Sequence, residues 1–192
     1  LLGQRVTSAG GCEVRAGGRK VPVGKWREAG HAGEGLERLR LTSPHPIGFR
    51  DELLRALAEL PRLAEHVHLP MQSGSDRILK AMHRPYTAEK YLRLVERIRQ
   101  AQPEAAITTD VIVGFPDESD EDYAATRRLV EQIPFDNAFI FRYSTRAETH
   151  SAGSLRQIPY PVKAPRRRDL TGVVDAAYHR PDYRMRLPLG QA

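Results

Sequence analysis

Asp110 is the residue whose surroundings most favour a chemical role. It lies within Thr108-Thr109-Asp110-Val111-Ile112-Val113, a nearly continuous apolar run typical of a strand buried on both faces. A carboxylate in such a strand must be paired or hydrogen-bonded, and carboxylates of this kind often belong to functional sites. We therefore expect Asp110 to serve a site, with a structural hydrogen-bond anchor as the alternative.

Two glycine-containing turns offer further chemistry. Gln72-Ser73-Gly74-Ser75-Asp76 opens a helix directly after a short strand, so its backbone N–H groups could hold a phosphate or a carboxylate. A plain helix cap by Ser73 or Ser75 explains the same pattern. Gly114-Phe115-Pro116 follows the strand of Asp110, and its aromatic face could pack on a flat ring such as adenine or simply close a turn at the edge of the core.

His66-Val67-His68 is the candidate metal-binding group, and Cys12 is either an ordinary loop thiol or a reactive one. The two histidines share one strand face, but no third ligand is spaced nearby as zinc sites require. We expect half-buried strand histidines rather than a zinc hydrolase. Cys12 is the one cysteine of the sequence, which excludes a disulfide within the chain and also an iron–sulfur cluster held by this chain alone, because a cluster needs about three or four thiolates. An isolated loop thiol fits a reducing, cytoplasmic setting.

The residues between these groups predict an alternation of strands and helices. Glycines spread through residues 9–35 predict a long loop there. After it, the hydrophobic periodicity predicts strands over Leu36–Thr42, His66–Leu69, Ile107–Phe115 and Ala138–Phe141. It predicts helices over Asp51–Leu60, Ser75–Met82, Thr87–Arg99, Ser119–Ile133 and Asp169–Tyr178, with Thr87 as a cap and Ser119 and Asp122 as a capping box.

Strands that alternate with helices at this spacing predict parallel strands joined by right-handed crossovers, in a barrel or an open sheet. In both architectures the chemistry gathers at the carboxyl ends of the strands. Polar residues follow four of the predicted strands, at Thr42–Pro46, Gln72–Ser75, Gly114–Glu118 and Tyr143–Arg146. We expect these four segments to form one site.

The length of 192 residues and the 40% hydrophobic content allow one domain with a sizeable core. No apolar run reaches the roughly 18 residues of a membrane-spanning helix. Residues 1–141 carry 20 basic and 20 acidic residues, whereas residues 142–192 carry 10 and 4, so the last part holds the whole net charge of +6. Such a basic segment suits a polyanion such as RNA, with a solvated basic tail as the alternative.

Longer stretches of the sequence resemble one family. His66–Thr87 and Thr108–Pro116 closely resemble the signatures of the radical S-adenosylmethionine methylthiotransferases. Leu2–Gln4, Leu39–Pro46 and Phe141–Arg146 follow in the order typical of that family, so the resemblance covers about residues 1–175. The form of the first signature resembles the tRNA-modifying, MiaB-like branch, and the RimO-like branch that acts on a ribosomal protein is the alternative.

The resemblance implies a partial (β/α) radical-SAM barrel over residues 1–155 that lacks its first strand and cluster loop. Residues 156–192 would be a basic C-terminal segment, at most the start of a link to an RNA-binding TRAM domain. The implied reaction is the methylthiolation of isopentenyl-adenosine next to the anticodon of tRNA. It would use S-adenosylmethionine, [4Fe–4S] clusters and an electron donor such as flavodoxin or ferredoxin, in the cytoplasm and without a membrane.

The same resemblance implies the site residues. Those expected to bind S-adenosylmethionine are Gly3, Gln4, Gln72, Ser73, Asp110, Gly114 and Phe115. Arg84 and Arg146 are the expected anchors for a carboxylate or a tRNA phosphate, because guanidinium groups hold both with two hydrogen bonds.

The sequence also departs from the family. The Cys-x3-Cys-x2-Cys loop is expected before Leu1, so we expect this chain alone to be an inactive, marginally stable fragment. Asp117 stands where the family usually has glycine, which is expected to strain a turn that uses positive φ. A second hypothesis is therefore a cluster-free RNA-binding remnant that uses Arg166, Arg167 and Arg168.

Overall fold

A computed structural model of the chain describes residues 13–16, 19–22, 40–41, 45–145 and 156–178. Its strands are β1 (Glu13–Ala16), β2 (Arg19–Pro22), β3 (Arg40–Leu41), β4 (His66–His68), β5 (Ala106–Val113) and β6 (Asn137–Arg142). Its helices are α1 (Asp51–Glu59), α2 (Asp76–Ala81), α3 (Ala88–Ala101), α4 (Asp120–Gln132) and α5 (Tyr160–Tyr178), with a 3-10 turn at Pro46–Gly48. No helix of the described part is long and apolar enough to cross a membrane.

The central element is a parallel sheet in the order β4-β5-β6. Along β5, alternate residues such as Ile107, Val111 and Val113 are fully buried beneath the helices, while Asp110 and its neighbours on the other face are partly exposed. The expectation of a strand buried on both faces is therefore wrong for the described part of the chain. The helices in this part cover one face of the sheet, and the opposite face carries the polar residues of β4 and β5.

A smaller antiparallel sheet in the order β2-β1-β3 lies earlier in the chain. Its register runs from Glu13 opposite Pro22 to Ala16 opposite Arg19. The prediction of an unbroken loop over residues 9–35 is therefore wrong at both strands. Two residues, Gly17 and Gly18, separate the strands, and a glycine pair between short β-prone runs is itself a hairpin signal. The many surrounding glycines obscured that signal.

Three helix starts are fixed by hydroxyl caps. The side chains of Ser75, Thr87 and Ser119 accept hydrogen bonds from backbone N–H groups in the first turns of α2, α3 and α4. In α4 the Asp122 carboxylate also accepts from the Ser119 N–H at 2.9 Å, which completes a capping box. The predicted caps at Thr87 and Ser119 are confirmed, and they matter because each of these helices follows a loop at the edge of the parallel sheet or a turn next to it.

Helix α5 is longer than the predicted segment Asp169–Tyr178. It begins at Tyr160 and contains Pro165, which lacks an N–H and normally disfavours a helix interior by about 3 kcal/mol. Packing offsets this cost, because Leu170 and Val174 of α5 are buried in the same core as the parallel sheet.

The loops after β4 and β5 are joined through one carboxylate. Asp122 of α4 accepts a hydrogen bond from the Ser75 hydroxyl at 2.5 Å and is bound by the Arg77 guanidinium. Its partners therefore lie at the first turns of two different helices, α2 and α4. Close packing reinforces this junction, since the N–H of Gly74 donates to the Thr126 hydroxyl of α4 at 3.0 Å. The two loops consequently hold a fixed position relative to each other.

Gly74→Ala is expected to lower the free energy of unfolding by about 1–3 kcal/mol, the usual range for overpacking. The added Cβ would lie 2.6 Å from Thr126 Cα and 2.7 Å from the Ala125 carbonyl oxygen, and backbone atoms cannot move aside by changing rotamer. Urea unfolding followed by circular dichroism measures the loss. The matched control is Gly172→Ala in α5, where nothing lies within 4 Å of the added Cβ and a gain of up to about 1 kcal/mol is expected. Equal stability of the two variants would contradict the close packing of Gly74 on α4.

Asp122→Asn is expected to reduce the acid sensitivity of the fold. Burial alone would raise the pKa of Asp122, but hydrogen bonds from Arg77, Ser75 and Ser119 outweigh it and hold the pKa well below its ordinary value. A depressed carboxylate pKa stabilises the folded state above the unfolded-state pKa, near about 4, and this stabilisation is lost as the pH falls below it. Unfolding free energies measured between neutral and acid pH should therefore converge for the wild type and Asp122→Asn. Asp175→Asn, at an exposed position of α5, is the control, and a constant gap across the pH range would contradict the role of Asp122.

Candidate functional site

Three of the predicted strand-end segments lie side by side at the carboxyl edge of the parallel sheet. The Gln72 N–H donates to the Asp110 carbonyl at 2.8 Å, and the Ile112 N–H donates to the Gln72 carbonyl at 2.9 Å. On the other side of β5, the Tyr143 N–H donates to the Val113 carbonyl at 2.9 Å. The segments that begin at Gln72, Gly114 and Tyr143 are therefore brought together, as the sequence predicts.

Gln72 combines a strained backbone with an unused side chain. Its φ is 67°, a left-handed conformation that costs a non-glycine residue on the order of 1–2 kcal/mol. The residue is 8% exposed, and its amide makes no hydrogen bond to another described residue. Strain of this kind persists where the surrounding structure imposes it and is frequent at ligand sites. Gln72 therefore combines a strained backbone with an amide that has no partner among the described residues, and its contact with the cofactor stays a prediction.

Asp110 belongs to a polar row on the open face of the sheet. Its carboxylate lies 3.3 Å from Nε2 of His68, and Nδ1 of His68 lies 2.9 Å from the Thr108 hydroxyl, which is also 3.1 Å from Nε2 of His66. The two histidines are half-buried, as predicted, and Val67 between them is fully buried. Asp110 thus has a structural partner while its side chain stays 27% exposed. It remains able to accept a further hydrogen bond from the open face.

Aromatic side chains of β6 extend the same open face. Phe139 and Phe141 are 49% and 53% exposed, and the ring of Phe139 lies edge-on to that of His68, with centroids 6.2 Å apart. A flat apolar surface next to a carboxylate is suited to a heteroaromatic ring that carries hydroxyl or amino groups.

Ser73 and Gly74 are used by the fold itself. The Ser73 hydroxyl is buried, lies 3.2 Å from the Thr126 hydroxyl and accepts a hydrogen bond from the Ser75 N–H. The N–H groups of Gly74 and Ser75 thus already have acceptors, and Ser75 caps α2. The loop was predicted either to bind an anion or to cap a helix, and the structure shows the helix cap, made by Ser75. A direct contact between Ser73 and the cofactor stays a prediction.

Gly114 lies in a turn that only glycine fits well. Its φ is 71°, and an added Cβ would collide with the side chain of Lys163 in α5. Lys163 donates to the Tyr143 carbonyl at 3.0 Å, and its Nζ lies 5.3 Å from the Tyr143 ring centroid. Phe115 packs edge-to-face on the same tyrosine, with centroids 5.2 Å apart. The predicted aromatic turn therefore exists, and α5 closes it from one side.

A buried ion pair holds this turn in place. Glu118 accepts from the Gly114 N–H at 2.8 Å and from the Arg166 guanidinium at 2.5 Å. The side chains of Glu118 and Arg166 are 1% and 8% exposed. Burial raises the pKa of Glu118, although the hydrogen bonds from Gly114 and Arg166 oppose that rise. The individual roles of Glu118 and Lys163 are not predictable from the sequence pattern. A signal for contact between the loop and α5 was present, because residues 117–122 are mostly acidic and α5 carries basic residues that could pair with them.

Asp117 has a φ of 67°, the positive value expected at a position where the family usually has glycine. Its carboxylate binds Arg77 at 2.7 Å and Arg156 at 2.9 Å. Hydrogen bonds from Arg156 and Arg77 lower the pKa of Asp117. The predicted strain at this position is thus present, and ion pairs to both neighbouring segments accompany it.

Arg84 lies in the turn between α2 and α3, and this turn is fastened to the end of β4. The hydroxyl of Tyr86 donates to the carbonyls of Pro70 and Met71, at 3.3 and 3.2 Å, directly before Gln72. The predicted anchor Arg84 therefore lies two residues before a side chain that contacts the segment preceding Gln72, and its role as an anchor stays a prediction.

Four residues considered in the sequence analysis, Gly3, Gln4, Cys12 and Arg146, lie outside the described residues. Within the described ranges, no three His, Cys, Asp or Glu side chains group as a metal ion would require.

Comparison with known proteins agrees with this architecture. A model of the radical SAM superfamily matches residues 20–130. A protein of Akkermansia muciniphila named tRNA-2-methylthio-N(6)-dimethylallyladenosine synthase is 55% identical over 175 residues, which is 91% of this chain and 38% of that protein. Proteins of the same name from Clavibacter sepedonicus and Thermobifida fusca are 46% and 50% identical, over 96% and 84% of this chain.

The chain spans about a third of the length of these relatives, at 38%, 34% and 32%. The superfamily match covers more than half of the chain and includes α1 to α4, β4 and β5. Members of this superfamily use S-adenosylmethionine and a [4Fe–4S] cluster. The chain belongs to the radical SAM superfamily.

Proposed function

We propose that this chain is the central, cofactor-binding part of an enzyme that methylthiolates isopentenyl-adenosine beside the anticodon of tRNA. The names of the relatives support the reaction and the tRNA substrate. The observation on this chain that carries the proposal is Gln72, whose strained backbone holds an unpartnered amide at the edge where β4 and β5 end.

The residues at this edge match the chemical groups of S-adenosylmethionine. The Gln72 amide can donate to and accept from polar groups, and the Asp110 carboxylate can accept from hydroxyl groups of a ribose. Gly114 makes room for the Lys163 side chain and so shapes the turn after β5, where Phe115 offers an aromatic contact for a purine. Ser73, and beyond the described residues Gly3 and Gln4, complete the proposed set. When bound, S-adenosylmethionine would supply radical chemistry at a C–H bond, with the reducing electron coming from a cluster that is not held by this chain.

The iron–sulfur cluster does not fit the residues of this chain. The sequence has one cysteine, Cys12, whereas a cluster requires about three or four thiolates. The role proposed for the chain is therefore to bind and orient the cofactor and the nucleic acid, with an electron donor such as flavodoxin or ferredoxin acting on the complete cytoplasmic enzyme.

The alternative of a cluster-free RNA-binding remnant loses part of its basis. It relies on Arg166, Arg167 and Arg168, but Arg166 is 7% exposed and paired with Glu118. Arg167 donates through Nε to the Ile140 carbonyl at 3.0 Å. Two of the three arginines thus hold α5 against the body of the protein, and their replacement would disturb the fold before it reported on RNA.

Gln72→Ala is expected to weaken the binding of S-adenosylhomocysteine about 3- to 10-fold, the effect of losing one hydrogen bond to a ligand. S-adenosylhomocysteine is the suitable probe because it carries the nucleoside and amino-acid groups without requiring reduction. Isothermal titration calorimetry on the purified chain gives the dissociation constant. Gln100→Ala, at an exposed position of α3, is the control. Identical affinities for the two variants would rule out Gln72 as a cofactor residue.

Deleting the reading frame that encodes this chain is expected to remove the 2-methylthio group from adenosine next to the anticodon, leaving the isopentenyl group in place. Mass spectrometry of nucleosides from purified tRNA measures both groups. If tRNA stays fully methylthiolated and a ribosomal protein loses a methylthio group instead, the RimO-like alternative replaces the proposal.

A further inference from the structure

Arg84 carries a charge for which the described part of the chain supplies no partner. Its Nε is buried without a hydrogen-bond acceptor, and the guanidinium forms no ion pair with another described residue. By contrast, Arg77 and Arg166 are each bound by carboxylates. A buried donor without an acceptor is unfavourable and rare in folded proteins, so its presence requires an explanation.

The backbone around Arg84 holds the side chain in place. His83 has a φ of 54°, and the Arg84 N–H donates to the Leu79 carbonyl at 2.8 Å. This is the pattern of a left-handed cap that closes the end of α2. Because His83 is not glycine, the closure carries strain, as at other positions where structure is imposed for a ligand. The position of Arg84 is therefore fixed by the fold rather than by contacts of its own guanidinium.

His45 supplies a second donor, and its ring packs on Tyr86, two residues after Arg84. Its ring lies edge-on to that of Tyr86, with centroids 5.6 Å apart, and its Nδ1 accepts a hydrogen bond from the Ile47 N–H at 3.4 Å. A neutral imidazole that accepts at Nδ1 carries its proton on Nε2. Burial and the nearby Arg84 charge lower the pKa of His45, which favours this neutral form. The Nε2–H is then a donor that can be offered to a ligand.

Tyr86 connects these two residues to the site edge. Its hydroxyl binds the carbonyls of Pro70 and Met71, and burial raises its pKa to about 12, so it remains a neutral donor occupied by the backbone. Tyr86 therefore connects the turn that carries Arg84, and the ring of His45, to the segment directly before Gln72. One charged fork and one neutral donor together suit an oxyanion rather than a sugar or a base.

We infer that Arg84 and His45 form an oxyanion subsite at the carboxyl edge of β4. The inference rests on the proposed function, which supplies two sources of oxyanion: a phosphate of the RNA and the carboxylate of the cofactor. The RNA phosphate is the better match because the residues on both sides of Arg84, His83 and Pro85, are exposed, so that a large ligand can approach this turn. The two sources share the same chemistry, and separate binding measurements distinguish them.

The test compares Arg84→Met with two control variants, Arg55→Met and Arg77→Met. Arg55 is exposed on α1, whereas Arg77 neutralises the buried carboxylate of Asp122. Thermal melting is expected to leave Arg84→Met at least as stable as the wild type, because the change removes a buried donor that has no acceptor. Arg77→Met is expected to melt at a lower temperature, since it leaves Asp122 without its cation.

Binding is then measured for a single-stranded RNA oligonucleotide, S-adenosylhomocysteine and methylthioadenosine, which lacks the carboxylate. Arg84→Met is expected to weaken RNA binding about tenfold, with a shallower salt dependence, and to leave both small ligands unaffected. His45→Phe, which keeps the ring against Tyr86 but removes the N–H, is expected to weaken RNA binding about threefold. A loss for S-adenosylhomocysteine alone supports the subsite with the cofactor carboxylate as its ligand.

Three results would overturn the subsite. The first is that Arg84→Met binds all three ligands as tightly as Arg55→Met does, and the second is that the wild type binds none of them. The third is that Arg84→Met melts as early as Arg77→Met, which would make Arg84 a structural residue. If Gln72→Ala binds S-adenosylhomocysteine more weakly while Arg84→Met binds every ligand normally, the subsite is rejected and the proposed cofactor site is retained.

Discussion

The Asp122 carboxylate is the interaction on which the candidate site depends most. It lies at the N-terminus of α4, where the helix dipole favours a negative charge, and it also accepts the Ser75 hydroxyl and the Arg77 guanidinium from the start of α2. One carboxylate therefore positions the loops after two parallel strands. Without it, Arg77 would lose a partner and two helix starts would lose a shared acceptor, so the edge that presents Gln72 and Gly114 would not stay aligned.

That rigidity explains why strained residues can persist at this edge. Among the described residues, the non-glycine residues at positive φ are Gln72, His83 and Asp117. All three lie in the segments that follow β4 or β5, and each is held by hydrogen bonds to a neighbouring element. Strain of about 1–3 kcal/mol at each position requires an environment that leaves no alternative conformation. Pairing with β5 provides that environment for Gln72, the last turn of α2 provides it for His83, and Arg77 and Arg156 provide it for Asp117.

The sequence predicted the features that depend on neighbouring residues, such as helix caps, but not the contacts between residues far apart in the chain. The caps of Thr87 and Ser119 and most helix bounds follow from residues within one turn of each other, so periodicity and composition sufficed. The first half of α5 escaped because Pro165 disfavours a helix, and only its packing on the sheet compensates. The pairing of Glu118 with Arg166 joins residues 48 positions apart, and no spacing rule connects them. For the site, the sequence predicted that Gln72 and Gly114 lie at the same edge of the sheet. It did not predict that the Ser73 side chain is directed towards α4.

The two buried polar atoms without partners in the described part of the chain, Arg84 Nε and Glu118 Oε1, have different meanings. The other oxygen of Glu118 accepts from Gly114 and Arg166, so its charge is already compensated within the fold. The Arg84 guanidinium has no such compensation, although its backbone is fixed by the closure of α2. An arginine cannot lose its proton to relieve burial, so either water at the partly exposed side chain or a bound ligand has to balance the charge. An anion that binds at the sheet edge would balance it, which connects the electrostatics of this turn to the recognition of a negatively charged ligand.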